Sequence, residues 1–317
     1  MSKRTIVLGG AGLIGSHLCV KLLEKGYEVV CIDKRGRRES PLLRNIENRD
    51  RFHYIKHDIT TPYEIGCDEL FNLASPIEYG DSFDYIDDQR LISYGAINSL
   101  ENLIGSNTKV LFGSSDDIYN FDRLDVKYKS PNRFVSDSKR FGESLHRAYN
   151  SHHKIDVRIA RIFSTYGSNA GLRDQHVISK MIVQALNNHD ITINGKGDQL
   201  RTFCWVDDMA DGLIKLMSAH SNSRIITADL GSVNQISIRQ LAELIISLTG
   251  SKSNIYHAPA KIDEPRYKIP DLKIAQQQLH WEATTTLREG LLRTISYIEK
   301  ELSSIAMSQM SWVEIYG

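Results

Sequence analysis

The chain has 317 residues, a quarter of them charged, with 39 basic and 39 acidic side chains. That length supplies a large core and predicts two lobes, while a formal charge of zero leaves no electrostatic pull toward nucleic acid or an anionic membrane. No apolar run approaches the roughly 20 residues that span a bilayer, and Cys19, Cys31, Cys67 and Cys204 lack metal-site spacing, so core thiols in a reducing, cytoplasmic compartment are expected, with no leader ahead of the first strand.

Thr5-Ile6-Val7-Leu8 predicts a buried strand. It runs into Gly9-Gly10-Ala11-Gly12-Leu13-Ile14-Gly15, and a helical pattern from Leu13 to Lys25 follows, stopped by Gly26. Glycines at 9, 12 and 15 suit a turn whose backbone approaches a pyrophosphate, with the phosphates on the first amides of the new helix. A ligand-free strand-turn-helix shares the glycines, but strand, glycines and helix in that order are the context the dinucleotide motif needs. The second strand, Glu28 to Ile32, ends at Asp33, 18 residues after Gly15. A carboxylate there accepts hydrogen bonds from an adenosine ribose and repels a 2′-phosphate, so NAD is the expected cofactor. The basic residues that follow (Lys34, Arg35, Arg37, Arg38) are expected to be solvated.

Phe52 to Ile55 predicts strand three, followed by His57-Asp58-Ile59. Glu69 to Leu73 predicts strand four, ending in Asn72-Leu73-Ala74-Ser75-Pro76, and Lys109 to Phe112 strand five, ending in Gly113-Ser114-Ser115-Asp116-Asp117. A helix over Arg133 to Tyr149 and a strand over Asp156 to Ile162 come next. The alternation implies an α/β fold with a doubly wound parallel sheet, whose ligands lie beyond the carboxyl ends of the strands. Asp33, Asp58, Leu73 to Ser75 and Ser114 to Asp117 all fall there.

After Tyr166-Gly167 the alternation loosens. Helices are expected over Val177 to Leu186, from a cap at Asp207 through Met217, over Ile238 to Leu248 and over Leu287 to Leu302. Strands are expected at Ile191 to Gly197 (with its turn), Thr202 to Trp205 and Ile225 to Leu230. Without a low-complexity linker, a smaller lobe must leave and re-enter the first: residues 1–165 with 203–250 form the cofactor domain, and 166–202 with 251–317 the second lobe. His152-His153 is expected as an exposed helix end, and Trp205 and Trp281 as core.

Several stretches together carry a resemblance: Gly9 to Gly15, His57-Asp58-Ile59, Asn72 to Pro76, Lys139-Arg140, Arg158-Ile159-Ala160-Arg161-Ile162-Phe163, Val177 to Leu186, Gln199 to Phe203 and Pro270-Asp271. Over nearly its whole length the chain resembles the extended short-chain dehydrogenase/reductases, nucleotide-sugar branch, and within it the UDP-glucuronate decarboxylases. The resemblance implies a Rossmann sheet, tightly held NAD, a nucleoside diphosphate sugar and hydride transfer at sugar C4. Decarboxylases of this kind oxidise C4, release carbon dioxide from the β-keto acid and return the hydride; C4 dehydrogenases, epimerases and 4,6-dehydratases share the first step. It further implies cofactor contacts from Gly9, Gly12, Leu13, Ile14, Gly15, Asp33, Asp58, Ile59, Leu73, Ala74, Ser75 and Lys139. Arg201, and either Arg266 or Lys268, would hold the diphosphate. Ser164 stands where an Asn is usual, and Asn194 where an aromatic often stacks on the base. Arg173 and His176 flank the loop over the sugar. A homodimer built on the segments Tyr85–Ile104 and Arg133–Tyr149 is also implied.

The departures are specific. The related enzymes place a catalytic Tyr four residues before the Lys, on the same helix face, so that the ammonium lowers the phenol pKa. Four residues before Lys139 stands Val135, and none of the 14 tyrosines has a Lys at that spacing. After strand five, Ser115 keeps a hydroxyl, Asp117 a carboxylate one methylene shorter than the usual Glu, and Asp116 adds a second acid. Three readings are open: an enzyme whose base is Asp116, Asp117 or Tyr119; a non-catalytic binder of NAD and nucleotide sugar; or a substitution that traps a complex.

Overall fold

The computed structural model describes residues 2–36, 40–64, 66–76, 85–119, 131–169, 176–260 and 269–307. Its first half alternates β1 (Arg4–Leu8), α1 (Leu13–Glu24), β2 (Glu28–Asp33), the short α2 (Pro41–Arg44), β3 (Phe52–Lys56), β4 (Glu69–Asn72), α3 (Tyr85–Glu101), β5 (Lys109–Ser115), α4 (Pro131–His153) and β6 (Asp156–Ile162). The second half holds β7 (Thr165–Tyr166), α5 (Val177–Leu186), β8 (Ile191–Asn194), β9 (Leu200–Thr202), β10 (Cys204–Trp205), α6 (Val206–Ser218) and β11 (Ile225–Leu230). It ends with β12 (Gln235–Ser237), α7 (Ile238–Thr249), β13 (Ile255–Ala258), α8 (Lys273–Gln277) and α9 (Leu287–Met307).

Seven strands form one parallel sheet in the order β11-β6-β5-β4-β1-β2-β3. The chain order reverses beside β1, which lies between β2 and β4, and a crevice opens at such a switch point. The strand interiors are apolar because helices cover both faces: Ile6, Val7, Leu8, Val29, Val30, Cys31 and Ile32 are fully buried. A second cluster joins α5, α7 and α9 around Tyr166, Ile182, Trp205, Leu241 and Leu291. Trp205 and Trp281 are both buried, and no helix of the described residues is long and apolar enough to cross a membrane.

Strand five runs three residues past its expected end, because Gly113, Ser114 and Ser115 continue the register against Ala160, Arg161 and Ile162. The segment expected as one strand over Thr202 to Trp205 divides at Phe203. Arg201 and its neighbours pair antiparallel with β12, while Cys204 and Trp205 pair parallel with β7. Asp207 does not cap α6, whose N-cap is Trp205. Its carboxylate instead accepts from Trp205 Nε1 at 3.0 Å and lies 2.7 Å from His17 Nδ1, tying α6 to α1. The fully buried Arg158 serves the other end of α6, donating to the carbonyls of Leu216 (3.1 Å) and Ala219 (2.5 Å). Carbonyls at a helix C-terminus lack their full set of intrahelical donors (that of Leu216 takes the Ala219 amide at 3.2 Å), which explains a guanidinium inside a sheet.

Candidate active site

The site grows from the β1–α1 turn. Gly9 adopts φ +71°, and a Cβ there would meet Ala74 Cα at 2.7 Å, so this position suits glycine twice over. A Cβ on Gly15 would lie 2.4 Å from the Gly9 carbonyl oxygen. Gly12 is different: its bare face meets only that oxygen at 3.2 Å and Arg35 Nη2 at 3.7 Å. Gly12 is also the N-cap of α1, with no side-chain cap and no acid in the first turn. The amides of that turn therefore keep their capacity for an anion. These features fit a dinucleotide pyrophosphate.

Asp33 ends β2 beside this turn, buried, and accepts from Ala11 N at 3.0 Å. Arg35 is not solvated as expected. Its backbone N and Nε donate to Asp33 Oδ1 at 3.0 and 3.2 Å, and Nη2 to Oδ2 at 3.3 Å. A carboxylate pointed at the turn draws the nearest cation back over it, which residue type alone does not reveal. Arg37 and Arg38 lie outside the described residues. Asp58 caps its own turn, and the Thr60 amide at 2.9 Å holds its carboxyl below the ordinary range.

The other end of the site is built by β5 and α4. Ser115 Oγ lies 3.3 Å from both Asp116 Oδ1 and Asp117 Oδ2, and accepts from Asp117 N at 3.2 Å. Ser136 Oγ donates to the Asp117 carbonyl at 3.0 Å and Arg140 to that of Ile118, so α4 clamps the acidic turn. Tyr119, expected among the replacement bases, faces elsewhere. Its hydroxyl donates to Asp229 Oδ1 at 2.7 Å and accepts from Arg161 Nη1 at 2.6 Å. Burial and the Asp229 carboxylate push that phenol up to about 12, and it does not line the cleft. Lys139 is buried at the cleft wall, donating from Nζ to the Gly113 carbonyl at 2.7 Å and lying 5.3 Å from the centre of the Phe112 ring. Burial pushes its ammonium down to about 8. Val135, one turn earlier, packs against Ile92, Ala96 and Phe112 rather than lining the cleft.

One cleft of about 520 Å³ joins the two ends. Its wall includes Gly9, Gly12, Leu13, Ile14, Gly15, Asp33, Asp58, Ile59, Leu73, Ala74, Ser75, Ser115, Asp116, Asp117, Lys139, Ser164 and His176.

A model of the NAD dependent epimerase/dehydratase family matches residues 5–227. The chain belongs to this family. UDP-glucuronic acid decarboxylase 1 of Danio rerio is 33% identical over 97% of this chain and 75% of its own length. UDP-glucuronic acid decarboxylase 3 of Arabidopsis thaliana is 33% identical over 91% of this chain and 86% of its own. Among solved structures, UDP-glucuronic acid 4-epimerase from Bacillus cereus in complex with NAD matches with a TM-score of 0.81 at 25% identity, covering 94% of this chain and 99% of that one. UDP-glucose 4-epimerase from Thermotoga maritima with UDP-glucose matches at a TM-score of 0.80 and 23% identity, again over 94% and 99%, which speaks for the fold.

NAD is thus the cofactor of the epimerase/dehydratase family to which the glycine turn and Asp33 belong. Not every expected ligand joins them. Asn194, on β8, accepts from Gln199 Nε2 through its carbonyl at 3.3 Å, and Arg201 donates to the Leu200 carbonyl at 2.8 Å; neither lines the cleft. Arg173, Arg266 and Lys268 lie outside the described residues. Sequence reading missed Asn169, a cleft residue at φ +68°. Its side chain donates to Ser16 Oγ (2.8 Å) and Ser40 Oγ (3.1 Å) and accepts from Leu42 N (3.2 Å). An Asn in a loop beside Gly and Ser is a fair sign of a left-handed turn, but not of three distant partners. Also missed was the Glu143–Arg161 fork, two bonds of 2.9 Å that brace α4 one turn beyond Lys139.

Proposed function

We propose that this protein oxidises a nucleoside diphosphate sugar at C4 with NAD, in the manner of UDP-glucuronate decarboxylases, without a phenol for proton transfer. The observation that carries this reading is the single cleft running from Asp33 and Gly12 to Ser115 and Lys139. The glycine turn and the α1 amides would hold the pyrophosphate, and Asp33 the adenosine ribose. When bound, NAD supplies a two-electron hydride acceptor next to the sugar. Ser115 would orient the C4 hydroxyl, Lys139 the nicotinamide ribose, and Ser164 and His176 the sugar side of the cleft. Although Arg201 and Asn194 stand outside the cleft wall, we keep Arg201 and either Arg266 or Lys268 as proposed diphosphate contacts, Asn194 as a proposed base contact and Arg173 as a proposed contact beside the sugar. The lobe boundary we propose follows the packing, with α7 on the side of α5 and α9 rather than with the cofactor domain. The free cysteines, three of them buried, suit a reducing cytoplasm.

The test is the redox state of cofactor released from purified protein, before and after incubation with UDP-glucuronate and other nucleotide sugars. The expected result is NADH, or a new pentose nucleotide with carbon dioxide and NAD regenerated. Carbon dioxide separates a decarboxylase from a dehydrogenase, epimerase or dehydratase. The apolar packing of Val135 also favours a second reading, a binder that no longer turns over, and NAD unchanged by every sugar would establish it.

We further propose a homodimer through α3 and α4. These helices leave three large apolar side chains exposed, Ile86 (63%), Tyr94 (50%) and Phe141 (44%), which supports the proposal. Sedimentation at micromolar concentration should give twice the chain mass, and a monomer there would sink the proposal.

A further inference from the structure

We infer that Lys139 itself accepts the proton of the sugar hydroxyl, taking over the work that a phenol does in related enzymes. The inference rests on the reading of the cleft as a C4-oxidising site.

The neighbouring groups decide between the candidates. Tyr119 is removed from the cleft by Asp229 and Arg161. Val135 has no proton to exchange. Lys139 lines the cleft, is 4% exposed, and among the described residues has the Gly113 carbonyl as its one hydrogen-bond partner. No carboxylate forms an ion pair with it among those residues. Glu143, one turn away on α4, is held by the Arg161 fork. His146, two turns away, is enclosed and stays neutral, its ring pushed down to about 4 by burial. From β5 the neutral Gly113 and Phe112 contact it, and the neutral Ser114 and Ser115 and, from α3, the apolar Leu91 share its cleft wall. Asp116 and Asp117 sit on the turn beyond, engaged with Ser115. An enclosed amine with no counter-charge gives up its proton easily, and burial lowers it to about 8, so a neutral fraction exists at working pH.

The step balances. The O–H bond at C4 breaks and its proton joins the Nζ lone pair. The O–H electrons form the C4 carbonyl π bond, and the C4 hydride leaves with its electron pair for the nicotinamide as oxidant. Reversal returns both.

The experiment has two readouts on the full chain. In protein carrying 15N-labelled lysine Nζ, the resonance that disappears in Lys139→Met should titrate near 8; a midpoint above 10 would overturn the inference. In single-turnover mixing of NAD-loaded protein with the sugar that reduces it, NADH absorbance should form at a rate rising through a one-proton limb near pH 8. Lys139→Met should lose about 10²- to 10⁴-fold in that rate and lose the limb. Lys139→Arg keeps a cation but cannot deprotonate, and should be equally slow while still binding NAD and the nucleotide sugar. Recovery in Lys139→Arg would make Lys139 a positioning residue and overturn the inference. A limb below pH 6 that vanishes in Asp116→Asn or Asp117→Asn would move the base to the acidic turn. If no sugar reduces the cofactor at any pH, the proposed function itself fails, and the inference falls with it.

Discussion

Gly15→Ala should cost the protein at least about tenfold in NAD affinity, and as much as about a hundredfold, while leaving it folded. The added Cβ would lie 2.4 Å from the Gly9 carbonyl oxygen and 2.7 Å from Gly10 Cα. Both are backbone atoms of the turn, so no side chain can rotate away to relieve the contact. Overpacking of this kind costs about 1–3 kcal/mol, and here it falls on the segment we propose to hold the pyrophosphate. Spread over the turn, that energy corresponds to about a ten- to hundredfold weaker complex. Fluorescence titration with NADH measures it directly. Gly66→Ala is the control, since nothing lies within 4 Å of a Cβ there and its φ is ordinary. Equal NAD affinity in wild type and Gly15→Ala would show that the turn does not bind the cofactor.

His146 should make the fold sensitive to mild acid. Its ring is fully enclosed, stacked on Phe112 at 4.6 Å between centroids. Nδ1 donates to the Gly142 carbonyl at 2.7 Å, which fixes the tautomer and leaves Nε2 as a buried lone pair with no partner. Protonation would place a second charge near Lys139 with nothing to receive the new N–H. Burial accordingly holds the ring at about 4, against an ordinary imidazole value of about 6.5. Between those two pH values the unfolded chain binds the proton and the folded one does not. Stability from this group is complete above pH 6.5, falls as pH drops toward 4, and changes no further below. The full loss is roughly 3 kcal/mol, of which about 2 fall between pH 6.5 and 5. Urea denaturation at pH 7.5 and 5 should show that fall in wild type, and a fall smaller by about that amount in His146→Leu. Parallel pH profiles for the two proteins would mean that His146 takes up its proton without cost.

The residues that were legible in sequence are those whose reasons are local. The glycine turn, Asp33 at the end of β2 and the buried strand interiors follow from backbone freedom, spacing and apolar runs. What escaped depends on partners far along the chain. The extra length of β5 comes from register with β6, and the break at Phe203 comes from two different partner strands. Asp207 has the look of a helix cap until His17, 190 residues earlier, claims its carboxylate. Arg35 looks solvated until Asp33 is seen turned toward it. Tyr119 follows the acids in sequence, yet the 3₁₀ turn over Asp116–Tyr119 carries its hydroxyl to Asp229 instead. In each case the expected role failed because only the fold could say which neighbour the side chain serves.

Asn169 bears on how the loops of such proteins can be exchanged. Its left-handed backbone and its bonds to Ser16, Ser40 and Leu42 fasten the chain to α1 and to the start of α2 at one point. Aspartate would fill the same space but lacks the amide donors, and glycine would accept the backbone and lose every bond. Grafting a relative's residues 170–175 therefore has its seam after Asn169. A cut placed before it would carry this fastening to α1 and α2 away with the graft.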